Sequence, residues 1–127
     1  MASLANARKQ AGKVVKVVTM DLNPDNVDRI KTGEIEFDTG GHWLQGGFAL
    51  TIMFDWLNGK KLPDDKRSQI IKLLPVTQAT LPQLAKDYPD GQPTYDVKQH
   101  SRFYTPGGPP AVIELKYSQP VDLGLHP

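Results

Sequence analysis

The first organised stretch of the chain is Val14-Val15-Lys16-Val17-Val18-Thr19-Met20, a β-branched run with a single charge. Such a run predicts a strand covered on both faces rather than one. It ends at Asp21, and in a parallel sheet the carboxyl ends of strands carry the functional loops. Asn23 then supplies an N-cap and Pro24 a first-turn residue whose missing amide proton costs nothing. Val27 and Ile30 share a helix face, and Gly33 stands where a helix stops in a left-handed conformation. Ile35 and Phe37 alternate with Glu34, Glu36 and Asp38, the pattern of a short two-sided strand, which Thr39-Gly40-Gly41 interrupts.

A second amphipathic pattern follows. Leu44, Phe48, Ile52 and Trp56 recur every fourth residue over Trp43 to Leu57, widened by Ala49 and Met53, and predict a helix ended by Asn58-Gly59. Lys60 and Lys61 lie where the helix dipole favours cations. Ile70 to Leu74 reads as a strand and Leu81 to Lys86 as one or two helical turns. From Pro89 to Pro110 the pattern dissolves into Pro, Gly and polar residues, predicting a long loop anchored at Val97 and Phe103-Tyr104. Ala111 to Tyr117 restores a strand signal, and Val121 to Leu125 is a short apolar tail. Ala2 to Gln10 has the composition of closing helical turns, stopped by Gly12.

Composition narrows the classes. A chain of 127 residues buries one modest core. Fifteen basic against fourteen acidic residues give a net charge of +1, with no run of Lys or Arg interleaved with aromatics, so no nucleic-acid track is visible. The absence of Cys removes disulfides, thiolate nucleophiles and thiolate metal sites. No segment approaches the roughly 20 apolar residues of a membrane span, and no signal peptide is recognisable, which predicts a cytoplasmic location for the chain as written.

Three groups of residues carry a resemblance: Lys16 to Pro24, the helix ending Ile30-Lys31-Thr32-Gly33, and Leu44-Gln45-Gly46 leading to Asp55-Trp56-Leu57-Asn58-Gly59-Lys60-Lys61-Leu62-Pro63. In order and spacing they resemble the carboxy-terminal part of periplasmic sugar-binding proteins, the ribose-like substrate-binding subunits of ABC importers. The resemblance covers roughly residues 2 to 80. It implies an α/β fold, a partial type I periplasmic-binding-protein-like Rossmann-like domain over residues 1–87, with a divergent Pro/Gly-rich extension over 88–127. Val14 to Met20 would belong to a second lobe, Glu34 to Thr39 would cross a hinge, and Trp43 to Leu57 would be a first-lobe helix. The implied function is non-covalent binding of a sugar or polyol between two lobes, without catalysis and without a cofactor. The family location is periplasmic, and an ABC permease is the partner of full-length members. An isolated strand and helix bury too little surface to offset a backbone entropy of roughly 1 to 2 kcal/mol per residue. Another chain, or a second copy of this one, is therefore an expected partner.

Asp21 is the leading ligand candidate, because a carboxylate presents several acceptor lone pairs to sugar hydroxyls; the competing reading is a solvated turn aspartate. Gly40 and Gly41 stand where family members commonly carry a ligand-binding Gln, and a glycine supplies no side-chain hydrogen bond. Trp43 can stack on a sugar ring and His42 can donate to a hydroxyl, although helix anchoring by Trp43 and a water-facing His42 are the favoured accounts. Gln45 fits the helix entry, where local hydrogen bonding is its expected task and ligand contact the alternative. Glu34, Glu36 and Asp38 alternate as oxygen ligands would, but no metal-binding loop accompanies them, and a solvated face is favoured. His100 and His126 lack metal-ligand spacing, so no metal site is expected. An interaction or regulatory module that associates through exposed sheet edges is the rival class. An enzyme built on Asp21, Glu34 and His42 is the third.

Overall fold

The computed structural model describes residues 15–90 and 93–125, together with Ala7, Gln10 and Gly12. The opening helix expected over Ala2 to Gln10 lies largely outside the described residues, as does His126. The protein is of mixed α/β type, with helices and an open two-stranded antiparallel sheet. It divides into two compact units. Unit 1 gathers the described residues of Met1–Gly40, Leu74–Gly91 and Tyr117–Pro127, and unit 2 gathers Gly41–Leu73 and Gln92–Lys116.

In unit 1, Asn23 caps helix α1 (Pro24–Lys31) as its composition predicts, its side chain accepting from the Asn26 amide at 3.0 Å. Gly33 follows the Thr32 C-cap with φ of 74°, the left-handed conformation that glycine adopts without a Cβ penalty. Strand β1 (Asp38–Gly40) pairs antiparallel with β2 (Leu74–Val76), Thr39 opposite Pro75. The residues after Val15 run extended and parallel to the approach to β1. Glu36 donates to the Val17 carbonyl at 2.9 Å, Thr19 to Phe37 at 2.9 Å and Asp21 to Thr39 at 3.2 Å. The pairing amounts to one isolated bridge, Val18 with Phe37, and not a full strand. β1 itself begins at Asp38 and runs through Thr39-Gly40, where the sequence pattern places an interruption.

Leu22, Ile30, Ile35, Leu74, Val76 and Leu84 form the buried apolar core of this unit. The run before Asp21 is not covered on both faces as its composition predicts: Val18 is 65% and Met20 64% exposed. Helix α3 (Leu81–Asp87) follows a 3-10 turn at Gln78–Thr80. Tyr117 then closes the unit, donating to the Pro75 carbonyl at 2.7 Å with Thr80 Oγ1 at 3.1 Å.

Unit 2 is built on helix α2 (Leu44–Leu57), close to its predicted bounds. Its buried face is Leu44, Phe48, Thr51 and Asp55, which is rotated from the expected apolar stripe, and Trp56 is exposed. Residues from the Pro- and Gly-rich segment explain the rotation. Asp55 accepts from the Ser101 hydroxyl, from the Arg102 amide at 2.8 Å and from the Phe103 amide at 3.3 Å. Tyr95 places its hydroxyl 2.6 Å from the Ala111 carbonyl, to which it donates, and 3.0 Å from Thr51 Oγ1. The expected long loop thus holds a short helix, α4 (Val97–His100), and is tied to α2. Aromatic contacts extend a small apolar core: Phe48 meets Tyr95 edge-on, Tyr95 stacks on His100, and Phe54 contacts Phe103 and Tyr104. Ala111 to Tyr117 forms no strand, and Leu115 is its buried anchor.

Candidate functional site

Asp21 stands at the carboxyl end of the extended run, exposed, with a φ of 109°. It is the non-glycine residue with positive φ among those described. Backbone conformations of this kind cost of order 1 to 3 kcal/mol and persist only where surrounding bonds over-determine them. Those bonds are present. The Asp21 amide donates to the Thr39 carbonyl at 3.2 Å, and its own carbonyl accepts from Asn23 Nδ2 at 3.1 Å and from Asn26 Nδ2 at 3.0 Å. The same Asn26 amide donates to Asp38 Oδ2 at 2.9 Å, while Asp38 Oδ1 accepts from the Thr39 amide at 2.7 Å. Asn26 is 2% exposed and Asp38 is fully buried.

The sequence pattern assigns Asp38 to a solvated acidic face with Glu34 and Glu36, and the structure corrects this. Asp38 is the first residue of β1, and its carboxylate is met by the Asn26 amide and the Thr39 N–H instead of water. Asn26 gave no sign of a role as an isolated polar residue. The available signal was its spacing: it lies four residues before the core residue Ile30, and so on the inward face of α1. Glu34 and Glu36 are partly exposed and ion-paired, to Arg29 at 2.8 Å and Lys16 at 2.7 Å. Among the described residues no group of His, Cys, Asp and Glu could hold a metal ion.

Asp21 belongs to unit 1, whereas His42, Trp43 and Gln45 belong to unit 2. There, His42 and Trp43 are both half-buried and meet edge to face, ring centroids 5.3 Å apart. Trp43 is the N-cap residue of α2 without capping it through its side chain, and its Nε1 is buried with no hydrogen-bond partner among the described residues. Gln45 is exposed in the first turn, its backbone amide donating to the His42 carbonyl at 3.0 Å. Gly41 is buried, with φ of 98°, and Leu115 fills the space that a side chain at this position would need.

Unit 1 also contains a cavity of about 320 Å³, walled by Val17, Ile30, Ile35 and Leu123 and rimmed by Lys16 and Glu36. Lys16, Val17, Ile35 and Glu36 lie at the amino ends of the parallel segments, and Asp21, at the other end, is not among the lining residues. Its polar rim is already joined in the Lys16–Glu36 ion pair. No helix among the described residues is long and apolar enough to cross a membrane.

Comparisons with protein-family models, with curated proteins and with solved structures find no match.

Proposed function

We propose that this chain is a fragment or relative of a sugar-binding transporter subunit and binds a sugar or similar polyol non-covalently, with the Asp21 carboxylate as acceptor for ligand hydroxyls. The observation that carries the reading is the backbone of Asp21. A strained, exposed aspartate closes an extended segment that pairs in parallel, and five hydrogen bonds around Asp21 and Asp38 fix it there. One further observation supports the resemblance that motivates it: the chain changes from unit 1 to unit 2 at Gly40–Gly41, directly after the segment expected to cross a hinge.

The mechanism is recognition without bond making. Ligand hydroxyls donate to a carboxylate whose main chain is already held, so little conformational freedom is lost on binding. Isothermal titration with a panel of pentoses and hexoses tests the reading. Heat of binding that Asp21→Asn weakens about tenfold or more is expected, because hydrogen bonds to charged acceptors contribute about 1.5 to 3 kcal/mol. Absence of heat with every member overturns it.

A second reading, an interaction module that associates through its sheet edge, is favoured by a different observation. Val17, Thr19 and Asp21 turn their backbone groups toward residues 36–39, so Lys16, Val18 and Met20 turn theirs the other way, along an edge with two exposed apolar side chains. Sedimentation over a range of concentrations distinguishes the readings, since a well-folded monomer at high concentration rejects this one.

A further inference from the structure

We propose that Asn26 is the positioning residue of the Asp21 site: its single buried amide group, anchored on Asp38, holds the Asp21 main chain in the positive-φ conformation that closes the extended run. This rests on the reading of Asp21 as a ligand acceptor, but its structural half stands independently. The argument is one of donors and acceptors. Asn26 Nδ2 has two hydrogens and two acceptors within reach, the Asp21 carbonyl at 3.0 Å and Asp38 Oδ2 at 2.9 Å. Asp38 is fully buried, and its other oxygen is committed to the Thr39 amide, so both Nδ2 hydrogens of Asn26 are committed to acceptors. Asn23 contributes a second donor to the Asp21 carbonyl at 3.1 Å, but from an exposed side chain open to water. Of the two donors, only Asn26 is sequestered from solvent, where a hydrogen bond is stronger and its loss is not made good by water. Helix α1 therefore sets the orientation of the loop that precedes it, through a side chain one turn inside the helix.

The decisive experiment exchanges the buried pair in the double variant Asn26→Asp/Asp38→Asn. The amide now on the strand donates to the carboxylate now on the helix while its oxygen still accepts from Thr39, so the link between α1 and β1 survives. A carboxylate on the helix cannot donate to the Asp21 carbonyl. The expected result is a folded protein with a lowered melting temperature, in which the φ-dependent amide-to-Hα coupling of Asp21 changes. Affinity for whichever sugar of the panel the wild type binds falls about tenfold or more. An unchanged Asp21 coupling in the folded double variant overturns the proposal. If the wild type binds no sugar, the ligand reading fails, while the coupling still decides whether Asn26 holds the main chain. Should the double variant not fold, hydrogen exchange of the Asn26 side-chain amide in the wild type decides: slow exchange supports the proposal and solvent-like exchange overturns it. The variant Asn23→Asp keeps the helix cap and replaces the exposed donor by a carboxylate, and a smaller change of coupling than in the exchanged pair is expected. An equal or larger change counts against the assignment to Asn26.

Discussion

Gly41 shows how one missing side chain can determine local packing. Its φ of 98° is a conformation that L residues rarely adopt, and a Cβ built on it would overlap Leu115 Cδ1. Gly41→Ala therefore combines backbone strain with overpacking and is expected to destabilise the protein by about 1 to 3 kcal/mol in urea unfolding. Leu115→Ala alone removes a buried leucine and is expected to cost about 2 to 5 kcal/mol; because it also relieves the overlap, the double variant is expected to lose less than the sum of the two single losses. From the sequence, the glycine reads as the loss of a ligand side chain, and nothing local reveals that a leucine 74 positions away occupies the space. Asp21 is the converse case. Its place at the end of a β-branched run is legible from the pattern, because composition marks where the strand stops. Its positive φ is not, because the bonds that hold it come from Asn26 and, through Thr39, from the next extended segment.

Among the elements, helices with local signals were readable and pairings between distant segments were not. The Asn-Pro start and glycine end of α1, and the limits of α2, follow from capping chemistry and periodicity that a few adjacent residues carry. The orientation of α2 escaped because Asp55, polar and therefore assigned outward by the apolar stripe, is buried by partners 46 to 48 residues later. Replacing it by Ala leaves the Ser101 hydroxyl and the Arg102 amide without this acceptor, while the Phe103 amide keeps Ser101 Oγ at 3.2 Å. A loss of about 3 kcal/mol is expected, with faster hydrogen exchange over residues 101–105. In unit 1 a similar clasp joins α3 to the chain after Tyr117. Asp87 accepts from the Ser118 hydroxyl and amide and from Gln83, and these bonds hold its carboxyl below the ordinary carboxylate range. A lowered pKa in the folded state means stability that is fully present above the unfolded value, about 3.9, and is lost as pH falls through the folded one. Acid titration followed by circular dichroism is expected to show a shallower loss below about pH 4 in Ser118→Ala than in the wild type.

For the molecule as a whole, uncovered apolar surface is the property that most affects behaviour in solution. The net charge of +1 offers little electrostatic repulsion between copies. Val18 and Met20 present apolar side chains on an edge flanked by Lys16, which is engaged with Glu36, and by the exposed Asp21. If that edge mediates association, Val18→Lys with Met20→Lys should lower the weight-average mass in sedimentation without changing the melting temperature, since neither side chain is buried. An unchanged mass places any association elsewhere. The chain also passes from one unit to the other four times, at residues 40–41, 73–74, 91–92 and 116–117. During synthesis on a ribosome, β2 therefore waits for a tyrosine some forty residues behind it, and α2 waits for Ser101. Unit 2 is complete in sequence only at Lys116 and unit 1 only with the segment after it, so a stop codon between residues 90 and 115 would leave two unfinished folds instead of one intact domain and a tail.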